Sequence, residues 1–476
     1  IMPFRKKMHK QMENLMMDRS YGDRYVNDGF SGGERKKTEI LQMCMLEPKL
    51  AMLDEIDSGL DVDAVRIVSE AVSEYHNESN AILVITHHSE ILQKLIPDYV
   101  HILINGRIVK TGNAKLIAGT GNDSIEVAAL ARYGWAVSGG SIAAGEGNNS
   151  IKLGGLVGLG SIVNASGKVT TASSITTGKG NDRIEITGPS GTGLLTQMGV
   201  GMYYSSIKDT GGDNTITINY DGGSGAASMH NSTITLGAGI DEVTMSSVYS
   251  DNLFGFIQTT MYGKSLLDTG AGDDKVTLSG NVTGTNSKNM VGINLGAGQN
   301  TLSVAGNIAY ATVTGGAGKD SVSIIGETSG TYGVSTAKLQ PAKISYATIN
   351  LGGGDNELTI GDVAGTLGGA GSDILYSSVV LGTGADTAHI IGHLASSSIR
   401  DSGGNNSITL SSTTAEGVIL TNSSVSLGAG HDTLKILASG KDGKAIFGKS
   451  IVDTGAGNDR VEIIGHVQTQ ATNRAA

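Results

Sequence analysis

A glycine-rich motif that recurs through the last three quarters of the chain constrains its fold more than any other feature. From residue 119 onward, Gly-x-Gly-x-Asp/Asn is followed by alternating apolar residues, and thirteen copies occur, two of them shortened. Successive copies lie 20 to 36 residues apart, with a mean of 28, which is typical of stacked structural repeats. The copies end at Asp123, Asn149, Asp182, Asn214, Asp241, Asp274, Asn300, Asp320, Asn356, Asp386, Asn406, Asp432 and Asp459.

Apolar residues alternate with polar ones on both sides of each glycine turn. Ile234 and Leu236 precede one copy, and Ile184 and Ile186 follow another. A period of two places such residues on one face of a strand. Glycine supplies the positive φ angles of a tight turn, and Asp or Asn tolerates left-handed geometry there. The pattern therefore predicts an all-β parallel β-solenoid of about 13 coils with an aliphatic interior.

Glycine content also divides the chain into two segments. Only 7 of the 71 glycines lie in residues 1–115, and the other 64 lie in residues 116–476. We therefore predict two domains with these boundaries. The net charge of −11 argues against a general nucleic-acid-binding protein, and a single cysteine excludes a disulfide framework. The chain has no apolar run long enough for a transmembrane helix.

Two glycines precede a predicted helix in the first segment. Ser31 followed three residues later by Glu34 is a capping box, which predicts a helix that runs to about Leu46. Gly32 and Gly33 let the backbone approach another molecule closely. The free N–H groups and positive dipole of a helix amino terminus favour an anion at this point.

Carboxylates follow a short apolar run in the same segment. Residues 50–53 read as a buried parallel strand that ends in Asp54 and Glu55. Residues 82–85 read as a second buried strand, which is followed by Thr86 and His87. Open α/β sheets bind ligands at the carboxyl ends of their strands. One carboxylate there can hold a magnesium ion through its water, while the next deprotonates an attacking water.

In this order, the motifs resemble those of ABC-type ATPases. FSGGE at 30–34 resembles the ABC signature, AMLDE at 51–55 Walker B, SGLD at 58–61 the D-loop, and ITH at 85–87 the switch histidine. The match is closest to the SufC family of the Suf iron–sulfur cluster assembly system and covers roughly residues 20–113. The resemblance implies a truncated α/β P-loop (ABC) ATPase fold for residues 1–115.

The same resemblance implies roles for individual residues. Asp54 would bind magnesium through water, Glu55 would be the general base, and His87 would contact the γ-phosphate. Asp61 would lie at a dimer seam. The signature residues would close over ATP that a partner subunit holds; they are Ser31, Gly32, Gly33 and Glu34.

The implied cofactors are ATP and magnesium. The implied partners are a second ATPase subunit and the Suf scaffold proteins, and the implied location is the cytoplasm. One departure stands against these expectations. No GxxxxGK[ST] phosphate loop occurs in the 476 residues, so we do not expect this chain to hold ATP by itself.

The repeats resemble the glycine/aspartate-rich RTX repeats of secreted bacterial proteins, in which tandem nonapeptides bind calcium. Here the shortest step is 20 residues, and five of the final positions are Asn. The sequence therefore leaves two alternatives for the final Asp and Asn residues: they are calcium ligands, or they form a stacked Asx ladder that only shapes the turn. The calcium candidates are Asp123, Asp182, Asp241, Asp274 and Asp459.

Three hypotheses of function follow. The first is a SufC-type ATPase segment, incomplete in this chain, fused to a structural solenoid. The second is a secreted or surface solenoid of the adhesin type, with an extracellular ligand and no enzymatic activity. The third is a solenoid enzyme that acts on polysaccharide, for which no motif is present. The first places the protein in the cytoplasm, and the second places it outside the cell.

Overall fold

The computed structural model forms two compact units, Ile1–Ala114 and Lys115–Ala476. The residues that it describes are 2–26, 28–56, 60, 62–77, 79–86, 100–104, 107–112, 115–128, 135–138, 140–154, 156–158, 172–187, 200–221, 227–248, 259–326, 343–361, 372–412, 418–439 and 443–468.

The first unit contains helices and short strands. Its helices are α1 (Met2–Asn14), a 3-10 helix (Arg19–Asp23), α2 (Gly32–Leu46) and α3 (Val62–Tyr75). Its strands are β1 (Leu50–Asp54), β2 (Ala81–Ile85), β3 (Val100–Ile104) and β4 (Arg107–Gly112). Strands β1 and β2 pair in parallel, and β3 and β4 pair antiparallel. The predicted helix and the two predicted parallel strands are confirmed, but alternate residues of both strands are exposed, so neither strand is fully buried.

The core of the first unit lies on one face of the β1–β2 sheet. Ala51 and Leu53 point into it from β1, and they pack with Ile40 of α2 and with Val68 and Val72 of α3. Cys44 is also buried there as a small apolar side chain. The apolar residues that alternate along β1 thus pack with those at helical spacing along α2 and α3 in one apolar cluster.

The opposite face of this sheet is exposed within the described residues. Leu50 and Met52 of β1 are 60% and 67% exposed, and Leu83 and Ile85 of β2 are 45% and 50% exposed. Parallel sheets are normally covered on both faces. One apolar face of the sheet is therefore open to further packing.

The second unit is a three-faced parallel β-solenoid. Thirteen strands precede the glycine turns and form the first face, in which each pairs in parallel with its equivalent in the next coil. They are Lys115–Ile117, Ser141–Gly145, Ser174–Thr177, Ser206–Lys208, Thr233–Thr235, Leu266–Asp268, Val291–Asn294, Ala311–Thr314, Thr348–Asn350, Ser378–Val380, Ser398–Arg400, Ser424–Ser426 and Ile451–Asp453.

Thirteen further strands follow the turns and form the second face. They are Ser124–Ala128, Ser150–Gly154, Arg183–Thr187, Thr215–Asp221, Glu242–Val248, Lys275–Ser279, Thr301–Ala305, Ser321–Ile325, Glu357–Ile360, Thr387–Ala395, Ser407–Ser411, Thr433–Leu437 and Arg460–Ile464. The count of thirteen agrees with the number of coils predicted from the motif.

Return strands form the third face. They are Trp135–Ser138, Leu156–Gly158, Val200–Tyr203, Ala227–His230, Thr259–Tyr262, Asn281–Thr283, Ile308–Ala309, Lys343–Ser345, Ser372–Leu375, Leu420–Thr421, Lys444–Phe447 and His466–Gln468. Strand Thr387–Ala395 belongs to both the second and third faces, so these two faces form one 25-stranded sheet.

Equivalent apolar residues stack in register along the interior. Ile216 pairs with Val243, Val243 with Val276, and Val276 with Leu302, and all four are almost fully buried. Connections of different length between the strands account for the differences in coil length. Most of them join the second face to the third, and two longer ones join the third face to the first, between Gly158 and Ser174 and between Thr283 and Val291. Burial of these aliphatic columns is the main stabilising contribution to the unit.

A ladder of Asp and Asn side chains runs through the glycine turns. At each step, the side-chain Oδ1 of a final Asp or Asn accepts the backbone N–H of its equivalent in the preceding coil. Twelve such hydrogen bonds, of 2.7–3.3 Å, join all thirteen final residues from Asp123 to Asp459. We call this set the inner ladder. It is the stacked Asx ladder that the sequence left open as an alternative to calcium ligands.

A second ladder runs along the exposed side of the same turns in the opposite sense. The side chain of Asn148 accepts the N–H of Asn181 at 2.9 Å, and the side chain of Asn181 accepts the N–H of Asp213 at 3.0 Å. Similar bonds recur at Asp273 and Asp355. Where the residue just before an inner-ladder position is Asn, Asp or His, its side chain thus accepts an N–H of the following coil, and these turns are held from both sides.

Candidate functional site

The amino terminus of α2 presents the signature-like residues. Ser31 is the N-cap, with φ −63° and ψ 167°, and its Oγ accepts the N–H of Glu34 at 3.3 Å. Glu34 Oε2 in turn accepts the N–H of Ser31 at 2.7 Å, which completes the capping box. Ser31 and Gly32 are exposed, so this helix end is accessible.

The other carboxylate oxygen of Glu34 accepts a hydrogen bond from the Tyr21 hydroxyl. The hydrogen bonds from Tyr21 and from Ser31 lower the pKa of Glu34 to about 2, and the same contact raises the pKa of Tyr21. Arg24 lies 4.5 Å above the Tyr21 ring, and Phe30 meets that ring edge-on at 4.9 Å. Glu34 is therefore held as a carboxylate that fixes the helix entry. Sequence reasoning missed Tyr21, because no motif marks it.

The two signature glycines differ in their surroundings. Apart from its chain neighbours and the backbone of α2, no described atom lies within 4 Å of the point where a Cβ on Gly32 would stand. At Gly33 that point is 3.5 Å from Leu60 Cδ2, so Leu60 of the SGLD segment packs beside the helix tip. The backbone at Gly32 is thus open to a ligand, and the signature and SGLD motifs meet at Gly33.

Asp54 and Glu55 lie at the carboxyl end of β1, as predicted. Asp54 is level with Ile85 in the sheet, and the N–H of Glu55 donates to the Ile85 carbonyl at 2.8 Å. Glu55 adopts a left-handed conformation, with φ 45°, which turns its side chain outward while Ile56 is buried. Thr86 follows the neighbouring strand, so it reaches the same edge of the sheet. Left-handed non-glycine residues are costly and concentrate at functional sites.

Two predicted site residues, Asp61 and His87, lie outside the described residues. The structure therefore places Ser31, Gly32, Gly33, Glu34, Asp54 and Glu55, and leaves the positions of those two as predictions. A cavity of about 550 Å³ in this unit is lined by Pro48, Lys49 and Tyr75. Because Pro48 and Lys49 precede β1, this cavity is at the opposite edge of the sheet from the carboxylates.

The five calcium candidates are members of the inner ladder. Asp182, Asp241 and Asp274 are buried, and Asp123 and Asp459 are partly buried. Each of these residues except Asp123 uses its Oδ1 to accept a backbone N–H from the preceding coil.

Burial raises the pKa of Asp182 to about 6 and that of Asp241 to about 7, which opposes the charged form that calcium requires. Within the described residues, no three or more His, Cys, Asp or Glu side chains are grouped to hold a metal ion. The calcium prediction gains no support from this geometry. None of the described helices is long and apolar enough to cross a membrane.

Comparison with curated proteins finds relatives of the amino-terminal part. "Vegetative protein 296" of Bacillus subtilis is 50% identical over 116 residues, which are 24% of this chain and 44% of that protein. "Probable ATP-dependent transporter ycf16" of Cyanophora paradoxa is 52% identical over 107 residues, 22% of this chain and 41% of that protein. A "Probable ABC transporter ATP-binding protein" of Streptococcus pyogenes is 49% identical over 110 residues, 23% and 43% of the two chains.

This chain thus spans less than half the length of these relatives. No family model matches it. The amino-terminal segment is similar to ABC transporter ATP-binding proteins, whereas the resemblance of the repeats to RTX proteins is unsupported.

Proposed function

We propose that residues 1–114 are the carboxyl-terminal part of an ABC-type ATPase of the SufC kind, fused to a structural solenoid. The observation that carries the proposal is the accessible, capped amino terminus of α2 at Ser31–Glu34. The relatives with 49–52% identity support the same reading. In this role Ser31, Gly32 and Gly33 bind the γ-phosphate of ATP held by a second subunit, because exposed N–H groups at a helix amino terminus attract anions.

Asp54 and Glu55 serve a different ATP site in this proposal. They stand at the carboxyl edge of the β1–β2 sheet, where Asp54 orients a magnesium-bound water and Glu55 takes the proton of the attacking water. Bound Mg·ATP supplies the phosphoryl group and the charge neutralisation. The residues on this chain position water and accept a proton.

Both sites need a phosphate loop, which does not occur in the 476 residues. We propose that the part of an ATPase fold that carries this loop packs against residues 1–114. The exposed apolar face of the sheet offers Leu50, Met52, Leu83 and Ile85 for packing with the remaining part of an ATPase fold. Assembly with Suf scaffold proteins, a role in iron–sulfur cluster assembly and a cytoplasmic location belong to the same proposal.

The experiment measures rescue of a damaged partner. A SufC-type subunit keeps its phosphate loop but carries arginine in place of its own signature serine, so it hydrolyses ATP poorly. Addition of the full chain is expected to raise hydrolysis, because Ser31–Gly33 completes the partner's site. Ser31→Arg should abolish the rescue.

Ser79→Arg is the matched control, because Ser79 is also exposed and lies near the cavity at the opposite edge of the sheet. It should rescue as well as the unmodified chain. Equal rescue by the Ser31→Arg chain, or no rescue by any of the three, contradicts the proposal.

For the solenoid we propose a purely structural role. Its inner turn side chains are occupied by the ladder, and its interior is a continuous aliphatic column. Fractionation of cells that express the full chain tests the cellular location of the protein. Recovery with the cytoplasmic proteins supports the fusion as an intracellular ATPase subunit, and recovery at the cell surface supports the adhesin alternative.

A further inference from the structure

The two shortened glycine turns share a feature that the proposed function does not use. Asp209 lies two residues before Gly211, and Asp401 lies two residues before Gly403, so both copies read Asp-x-Gly-Gly-x-Asn. Asp209 is 3% exposed and Asp401 is 9% exposed. Each shortened turn therefore begins with an interior carboxyl group.

Asp401 faces the inner-ladder residue of the preceding coil, Asp386, which is 1% exposed. Both residues bond to the side-chain amide of Asn406, whose Oδ1 accepts the N–H of Asp386 at 2.9 Å and whose Nδ2 donates to Oδ1 of Asp401 at 2.9 Å. Asp386 and Asp401 therefore meet at one amide, and each influences the pKa of the other. Oδ1 of Asp386 accepts the N–H of Asn356 at 2.7 Å, and Oδ1 of Asp401 accepts the N–H of Gly403 at 2.8 Å. The Oδ2 atoms of both aspartates are buried and receive no hydrogen bond from the described residues.

A related arrangement occurs at the other shortened turn, except that Oδ2 of Asp209 accepts a hydrogen bond from Thr177 Oγ1 at 2.6 Å. Asp209 faces the inner-ladder residue Asp182, and Oδ1 of Asp209 accepts the N–H of Gly211 at 2.7 Å. The amide of Asn214 donates to the same oxygen at 2.9 Å, as Asn406 does to Asp401. Each interior carboxyl thus lies between an amide of its own coil and a carboxyl of the preceding coil.

Two buried carboxyl groups in contact cannot both carry a charge without a large cost, unless a cation or a proton lies between them. The pKa values of Asp386 and Asp401 are shifted by burial, by each other and by nearby hydrogen bonds, and no lysine, arginine or histidine is among these causes. Asn406 Nδ2 donates to Asp401, and the next carboxyl along the ladder, Asp432, accepts from Asn406. Among the described residues, neither Asp386 nor Asp401 forms an ion pair.

We propose that Asp386 and Asp401 form a proton-binding site, in which one proton shared between their Oδ2 atoms joins two successive coils. The proton supplies the donor that both orphaned oxygens lack. Its release leaves two adjacent negative charges in the interior and weakens the junction between the coils.

Desolvation supports this assignment. Burial, together with Asp401, raises the pKa of Asp386 from 3.8 to about 6, and burial also raises the pKa of Asp401. Between about pH 4 and pH 6 the folded protein holds a proton that the unfolded chain has released. The pair therefore stabilises the fold most below about pH 4, and this contribution is lost as the pH rises to 6.

The test compares thermal midpoints of the full chain at pH 5 and pH 8 with those of Asp386→Asn, Asp401→Asn and the double variant. Asparagine fits position 386, because the side chains of Asn356 and Asn406 accept the ladder hydrogen bond in the neighbouring coils. It fits position 401, because Asn294 and Asn350 accept the equivalent glycine N–H in their own turns. The asparagine amide can donate a hydrogen bond to the remaining carboxylate, so this carboxylate no longer needs a bound proton. Each single variant should raise the midpoint at pH 8 by about 3 °C and change it less at pH 5.

The thermal midpoint of the double variant at pH 8 should be no higher than that of either single variant. Asp432→Asn is the matched control, because Asp432 is a buried ladder residue whose side chain accepts hydrogen bonds from the N–H and the Nδ2 of Asn406. Its midpoint difference between pH 5 and pH 8 should equal that of the unmodified chain. The Asp182–Asp209 pair is present in every variant, so its contribution cancels.

Calcium chloride and EDTA, added separately at pH 8, test for a cation in place of the proton. Neither should move the midpoint of the unmodified chain. An increase with calcium that Asp386→Asn removes would show that the pair binds a metal, and this overturns the proposal. A lower midpoint for Asp386→Asn than for the unmodified chain at pH 8 also overturns it. An infrared difference spectrum gives a direct readout, since the protonated carboxyl band at pH 5 should weaken in Asp386→Asn.

Discussion

Removal of one inner-ladder amide should destabilise the solenoid far more than removal of an exposed amide in the adjacent coil. Asn214 is 3% exposed, and its Oδ1 accepts the N–H of Asp182 at 3.0 Å. Its Nδ2 donates at 2.9 Å both to Asp209 and to the Gly212 carbonyl. Asn214→Ala deletes all three hydrogen bonds and leaves their partners inside the turn.

The magnitude follows from these partners. A buried N–H left without an acceptor costs about 1–3 kcal/mol, and each of the two lost amide hydrogen bonds contributes about 1 kcal/mol. The free energy of unfolding should therefore fall by roughly 3–5 kcal/mol. Asn181 makes the same kind of bond, to the N–H of Asp213 at 3.0 Å, but it is exposed and water can replace it. Asn181→Ala should cost no more than about 0.5 kcal/mol.

Urea unfolding of the full chain, followed by the circular dichroism of its strands, measures the difference. Asn214→Ala should shift the midpoint down by about 1 M, and Asn181→Ala should leave it within error. Asn214→Asp separates the acceptor from the donors, because it keeps Oδ1 and loses Nδ2. Equal shifts for Asn214→Ala and Asn181→Ala would refute the argument that burial makes the inner ladder structurally important.

Three further predictions concern other parts of the molecule. Because hydrogen bonds hold the pKa of Glu34 at about 2, the capping box should stabilise α2 above about pH 4.5 and lose this effect toward pH 2. The helical circular dichroism signal should follow this pH dependence, and Glu34→Gln should remove the dependence. Gly404→Ala should lower the thermal midpoint strongly, since φ is +121° and a Cβ would overlap the Gly384 carbonyl, whereas Gly119→Ala has open space and should not. With a separate phosphate-loop polypeptide added, Glu55→Gln should lower ATP hydrolysis at least about 100-fold. The control Glu47→Gln should leave ATP hydrolysis unchanged, because Glu47 is an exposed residue with a left-handed backbone that lies outside the site.

The positions of the ladder and the number of coils could be predicted from the sequence, because the turn motif and the strands beside it repeat with a strict local geometry. Every residue from Asp123 to Asp459 at the end of a motif copy occupies the inner ladder. The third face could not be predicted in the same way. Its strands follow returns of variable length, and some have only two residues, such as Ile308–Ala309.

The candidate site was predictable where a motif is local. The capping box at Ser31 and Glu34 and the end of β1 at Asp54 follow from neighbouring residues alone. The hydrogen bond from Tyr21 to Glu34 joins residues 13 apart in sequence and depends on tertiary packing, so no local pattern announces it. The facing carboxyls of Asp386 and Asp401 likewise come from different coils.

The inner ladder also bears on how a chain of this kind changes length during evolution. Asn300 and Asp320 are 20 residues apart and Asp320 and Asn356 are 36 apart, yet both steps close with the same hydrogen bond. The number of residues between two turns is therefore not set by this hydrogen bond, so recombination between two turn motifs can remove or add a whole coil and keep the bond. An insertion of one residue within a strand has the opposite effect, because it turns the apolar side chains outward. Coil number is thus free to drift, while the spacing around each turn is fixed.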